Sequence, residues 1–370
     1  MRPTTSWFSD LYGFSDETGS FEEHRAHFRM DGEDLVCATS THPRQHVGPW
    51  ETPSVAELRE RCGGMTEAAG GSGLTFRHLA ASSGVEPLIS NPDNAGAVFM
   101  VASQFNALEM ASPDRTPRRG IAIYARDRTQ GPACAMACPA GTVFRNYLCQ
   151  GGSGQATSQI DLLADVGTVA GNTEDRYWRM QNGWALVGNA WRFQELSRRL
   201  RKDAGLHAAA IGALRVGVHA ATQARPPLTH RVAQVFCSAL PVAYIRGTHK
   251  FLTDADWELA RVVLCGAYEA TLAVGAWRAA EAQGGRVAVF LTALGDGSFG
   301  NDVSWVREAL EAALDKYRDA PLDVALVHYG VDVDECWRQV DLPPADPMAR
   351  CVRSCLSRMR ECYDKCTSTG

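Results

Sequence analysis

Eight consecutive residues, Gly295-Asp296-Gly297-Ser298-Phe299-Gly300-Asn301-Asp302, hold the densest chemical signal in this chain. Glycines at that spacing let successive backbone N–H groups turn toward one point, and a helix start behind them adds partial positive charge. A pyrophosphate is the kind of anion such a bend grips. The lysine of a nucleotide-triphosphatase loop is missing. The competing reading is a tight strand-to-helix turn with Asn301 or Asp302 as helix cap. Upstream, Gln104, Asn106 and Glu109 set two amides and an acid within six residues. Asp127 and Gln130 supply a second polar group just before Gly131. A carboxylate at Glu109 or Asp127 could activate water as a general base. Each is equally well read as a solvated or helix-capping acid.

Hydrophobic strands precede these groups. AVFMVASQF from Ala97 and RVAVFLTAL from Arg286 have buried-strand length and composition. IAIYA from Ile121, ALRVGVHAAT, HRVAQVFCSALPVAY (ended by Pro241) and LDVALVHYG read as further strands. VSWVREALEAALDKYR is an amphipathic helix. A longer one runs from a Thr253-x-x-Asp256 capping box to about Gln283, apolar nearly all round and therefore buried. ETPSVAELRERC opens a third, with Thr52 or Ser54 as cap, Pro53 early in the helix and Glu57 in its first turn. Small residues around Gly131, Pro132, Pro139 and Gly141 predict tight packing or close approach to a ligand. The alternation of strands and helices predicts an α/β domain with a largely parallel central sheet. It spans 74–335 with an insertion at about 146–212. An N-terminal extension (1–73) precedes it, and a linker with a cysteine-rich helix (336–370) follows.

FLTALGDGSFGNDVSWVREALEAAL followed by LDVALVHY resembles the closing portion of macrodomains and their poly(ADP-ribose) glycohydrolase relatives. VFMVASQFNALEM is similar to that family's other ligand strand, and the likeness covers about 97–145 and 213–330. It implies a three-layer fold around a mixed, largely parallel sheet. ADP-ribose or a related nucleotide diphosphate would lie against Gln104, Asn106, Gln130 and Gly131 on one side. Gly295, Asp296, Gly297, Ser298, Phe299, Gly300 and Asn301 would hold it on the other. Asn106 would sit near the distal ribose, with Glu109 or Asp127 as the base. The departures are specific. Thr129-Gln130-Gly131-Pro132 replaces a run of three glycines, and the paired glutamates of the glycohydrolase signature are absent. The resemblance therefore implies ADP-ribose binding, with hydrolytic removal of ADP-ribose from a modified macromolecule or metabolite as the accompanying activity. A non-catalytic reader, another nucleotide-processing enzyme and a structural or assembly protein stay open. No cofactor is required; relatives sometimes use a divalent metal, which no pattern here indicates.

Composition bounds the partners. Thirty-seven basic against 42 acidic residues leave a net charge of −5 over 370 residues, so no global field draws nucleic acid or anionic membrane. No uninterrupted apolar run reaches the ~18 residues of a membrane helix. Acids stand where a signal peptide needs an apolar core, which predicts an intracellular protein, cytoplasmic or nuclear. Of the 12 cysteines, Cys37, Cys62, Cys134, Cys138, Cys149, Cys237, Cys265 and Cys336 read as small buried hydrophobes. Cys351, Cys355, Cys362 and Cys366 fall within roughly 60° of one helix face. They would serve self-association or a partner contact, or simply pack on the body. His219, His249 and His328 sit near strand ends, as core residues or ligand contacts. Phe299 and Tyr329 are stacking or packing aromatics.

Overall fold

The computed structural model describes residues 6–62, 73–282 and 285–342. Seven strands, β1 (Trp50–Glu51), β2 (Thr75–Ala80), β3 (Val98–Ala102), β4 (Gly217–Gln223), β5 (Arg231–Cys237), β6 (Val287–Thr292) and β7 (Leu322–His328), form the central sheet. Their order is β1-β4-β5-β3-β6-β7-β2. Every pair from β5 to β2 is parallel, while β4 runs antiparallel to both β1 and β5. The sheet is mixed and largely parallel, as expected. VFMVA of β3 and VAVFLT of β6 are continuous apolar runs because parallel strands are covered on both faces. Phe99 and Phe290, register partners in these strands, stack at 4.6 Å.

The helices used below are α1 (Val55–Cys62), α2 (Gln130–Ala137), α3 (Ala190–Lys202), α4 (Ala204–Ala213), α5 (Val242–Thr248), α6 (Glu258–Glu281) and α7 (Val303–Lys316). The crossovers β5–α6–β6 and β6–α7–β7 step the same way across the sheet, so right-handedness puts α6 and α7 on one face. On that face Cys237 Sγ donates to Ala267 O of α6 at 3.7 Å. Gln234, pointing to the opposite face, donates to Cys134 O of α2 at 2.9 Å. Helices thus cover both faces and the domain has three layers. By length and composition α6 could cross a membrane, yet 89% of its apolar window is buried inside the fold. It is the central core helix.

Several local expectations meet their physical cause. Thr253 and Asp256 do form a capping box ahead of α6. Ser54 caps α1, exchanging hydrogen bonds with Glu57, so Pro53 lies before the cap and not in the helix. The Ile121 segment is not a strand. Asp16 accepts from the amides of Ile121 (2.7 Å) and Ala122 (3.1 Å), removing donors that a ladder would need, and Ala122–Arg126 closes into a 3₁₀ turn. β5 ends at Cys237, short of Pro241, which instead precedes α5. Residues 50–62, placed by sequence in the N-terminal extension, supply β1 and α1 to the sheet and its covering layer. Residues from Trp7 to Val47 of the extension contribute to a second core, in which Phe8, Tyr12, Phe21 and Phe28 pack with Tyr124, Val143 and Tyr147. Six of the eight cysteines are buried, Cys265 is half-buried and Cys336 is exposed. Cys351, Cys355, Cys362 and Cys366 lie outside the described residues.

Candidate active site

A cleft of about 820 Å³ opens at the carboxyl ends of β3, β6, β7 and β2, where open α/β sheets receive ligands. Loop 295–302 forms its middle. Gly295 (φ 77°) and Gly300 (φ 65°) take left-handed turns that side chains resist. Asn301 ties the loop shut: its amide N–H donates to Gly295 O at 2.8 Å, and its Nδ2 donates to Leu240 O at 2.9 Å. Asp302 caps α7 by accepting from Ser304 N at 2.8 Å. The tight capped turn of the second sequence reading is present, and it faces an open hollow. Gly295, Asp296, Gly297, Ser298 and Phe299 line the cleft. Gly300 and Asn301 hold the loop from behind. A Cβ on Gly297 would meet nothing within 4 Å. Among the described residues, no group accepts a hydrogen bond from the amides of Ser298 and Phe299. Burial raises the Asp296 carboxyl, against the pull of the Gly297 and Asp296 amides.

The other wall is assembled from separate pieces. After β3 the chain turns tightly at Ala107 (φ 57°) and brings Glu109 into the cleft wall. Gln130 fastens α2 to the end of β3: Ala102 N donates to its Oε1 at 2.8 Å, and its Nε2 donates to Met100 O at 2.7 Å. Gly131 follows. A Cβ there would fall inside the van der Waals envelopes of Ala102 O and Glu109 Oε2. The Glu109 carboxylate occupies the room that a side chain on α2 would take. Glu109 is 3% exposed, its N–H donates to Tyr124 Oη at 3.0 Å, and its Oε1 has no partner among the described residues. Burial pushes its carboxyl well above the usual range, the positive charge of Arg145 opposes this, and Asp127 reinforces it. Such a shift in a cleft marks an acid–base candidate.

The fold is similar to that of bacterial poly(ADP-ribose) glycohydrolases. The enzyme from Thermomonospora curvata aligns over 82% of this chain and 83% of its own, at 14% identity and a TM-score of 0.40. Bound to the inhibitor ADP-HPD, the same enzyme aligns at 16% identity over 82% and 84%, with a TM-score of 0.39. The enzyme from Deinococcus radiodurans, in complex with ADP-ribose, aligns at 10% identity over 78% of this chain and 90% of its own, with a TM-score of 0.41. No family model and no curated protein sequence matches the chain.

The cleft gathers most of the residues that sequence singled out. Gln104, Glu109, Asp127, Gln130 and Gly131 line it together with the 295–299 stretch. Asn106 does not. It is fully buried, donating through Nδ2 to Gln159 Oε1 at 2.9 Å and accepting from Leu108 N at 3.1 Å. It braces the turn that carries Glu109 and lies behind the cleft lining, not in it. Asp127 spends Oδ1 on the amide (2.9 Å) and hydroxyl (2.7 Å) of Thr129, fixing the approach to α2. The small-residue stretch at 129–142 is helical, not a glycine loop; its lack of bulk seats α2 and Pro139–Val143 against the sheet.

Other aromatic and basic residues fall into place around this frame. Phe299 lines the cleft beside Trp184, 4.9 Å away, with Tyr244 in the same cluster. Tyr329 lines the opposite end, 76% exposed. His328 is in the wall, His249 braces Val187 O at 2.8 Å, and His219 is sealed in the core beside Trp50. Sequence reasoning missed Arg145. It is wholly buried, its guanidinium lies 3.7 Å over the Phe236 ring, and Nε donates to Ala107 O at 2.9 Å. The signal was a lone arginine inside the apolar run AGTVFRNYL.

Proposed function

We propose that this cleft binds ADP-ribose and that the chain hydrolyses ADP-ribose from a modified macromolecule or metabolite. One observation carries the reading: a glycine bend with open amides and a sealed carboxyl that burial pushes above its usual range face one cleft from adjacent parallel strands. The open amides of Ser298 and Phe299 suit a diphosphate. Arg128 is the only arginine or lysine among the lining residues, so backbone dipoles would do most of that binding. Glu109, protonated by burial, would donate its proton to the leaving oxygen as the bond to the anomeric carbon breaks. The resulting carboxylate, stabilised by Arg145, would take a proton from the water that adds to the oxocarbenium-like carbon, which returns Glu109 to its starting state.

The test is to incubate the full chain with ADP-ribosylated protein and measure free ADP-ribose. Release that disappears in Glu109→Gln is the expected result. A reader without turnover is the second reading, favoured by Asp127 being engaged with Thr129, which leaves a single carboxyl sealed into the wall. Micromolar affinity for ADP-ribose with no release would select it. Absence of binding at millimolar ligand would reject both.

A further inference from the structure

At the end of the cleft away from Glu109, a histidine has its hydrogen-bonding role fixed from outside. His78 of β2 approaches Val340 O through Nε2 at 2.9 Å and His328 Nε2 of β7 through Nδ1 at 2.8 Å. A carbonyl oxygen only accepts, so Nε2 of His78 carries the proton. In the uncharged ring Nδ1 is then a lone pair, and His328 must donate to it from Nε2. The remaining nitrogen of His328, Nδ1, is left as an acceptor. It has no partner among the described residues and is not among the buried unpartnered atoms, so it is open at a residue of the cleft wall. Burial draws His328 down to about 4, so its ring is neutral at physiological pH.

The strand order says which part of a ligand lies there. Glu109 follows β3, the glycine bend follows β6, and His328 ends β7, so the three stand in sequence across about 10 Å of sheet. With the scissile bond at Glu109 and phosphates at the bend, the base falls to the β7 end. That end has a flat, exposed ring in Tyr329 and a second aromatic in Trp337. Among its polar side chains His328 Nδ1 and the carboxylates of Glu86 and Asp334 accept, the Trp337 indole N–H donates, and the hydroxyls of Ser83 and Tyr329 can do either. Given ADP-ribose-type binding in this cleft, we infer that His328 reads the nucleobase, its Nδ1 accepting from an exocyclic amino group and favouring a 6-aminopurine over a 6-oxopurine. His78 is the positioning residue that fixes the tautomer.

Calorimetric titration of the full chain at about pH 8, where imidazoles are neutral, with ADP-ribose and with its hypoxanthine analogue tests this. The wild-type chain should bind the analogue at least about tenfold more weakly, since a site built to pair with a donor rejects a ligand lacking it. His328→Phe should bring the two ligands within about twofold of each other, a difference below one ordinary hydrogen bond. Glu86→Gln and Asp334→Asn should keep the preference. His78→Leu, which frees the tautomer, should narrow it by raising affinity for the analogue, an effect that mere loss of structure would not produce. Equal binding of the two ligands by wild type overturns the inference and leaves ADP-ribose binding standing. So does a preference that survives His328→Phe or vanishes in either carboxylate variant. Binding of neither ligand removes the parent reading as well. The wild-type comparison stands even where a variant fails to fold.

Discussion

The two walls of the cleft are built in opposite ways. The glycine-loop side is one continuous stretch of chain, strand β6, loop 295–302 and helix α7, closed by its own hydrogen bonds and tied to its neighbours at Leu240, Ala243 and Tyr268. The carboxyl side is a joint of distant parts: the end of β3, the Ala107 turn, the start of α2, and Arg145 from the next helical segment. A local unit tolerates change at its open face. An assembled one transmits any shift to the group it carries, because its geometry is set by close packing without slack.

The predictions pull on that contrast. Glu109→Gln should lower ADP-ribose release by about 10²–10⁴-fold while affinity, measured by calorimetry, stays within about threefold (under 1 kcal/mol). A release rate that survives would move the chemistry off this wall. Gly131→Ala should cost about 10²-fold in release through misplacement of the carboxyl, and about 1–3 kcal/mol of stability through overpacking. Denaturant titration and the release assay would read both losses together. An alanine accommodated at no cost would show that the joint has slack after all. Gly297→Glu on the opposite wall should weaken ADP-ribose binding by about tenfold or more, a like-charge penalty above 1.4 kcal/mol, with an unchanged melting temperature because open space surrounds that Cα. A large loss of stability there would erase the distinction between the walls.

The smallest effect is one of pH. Burial raises the folded-state Glu109 carboxyl above its ordinary 4.5. The native state then holds a proton that the unfolded chain has lost, so wild-type stability declines as pH rises from about 4.5 toward the raised folded value. Glu109→Gln lacks this decline. It should therefore melt with wild type near pH 4 and above it at alkaline pH, as thermal scans across pH would show. A gap that shrinks with rising pH would mean that Arg145 outweighs desolvation at this site.

The same contrast explains what sequence could reveal. Loop 295–302 lay in a single stretch whose strand, glycines and helix were each legible, and its cap was narrowed to the right pair. Glu109 could be picked out as a carboxyl near a strand end. Its neighbour Asn106 looked equally apt, because nothing in the residue order shows the left-handed turn at Ala107 that makes an inward brace of it. IAIYA is strand-like in composition; only Asp16, 105 positions away along the chain, makes it a turn. The small-residue stretch has no helical periodicity to read, since α2 is apolar on every side. Information held between segments is not written in any one of them.

Asp16 has one more effect, on timing. Besides the amides of Ile121 and Ala122, its carboxylate receives a hydrogen bond from Tyr147, 131 positions later, at 2.8 Å. On a ribosome, the opening segment emerges long before the partners that will clasp it. Closure of that clasp, and with it the seat of Tyr124 beneath Glu109, must wait until Tyr147 has been made, 131 residues after Asp16.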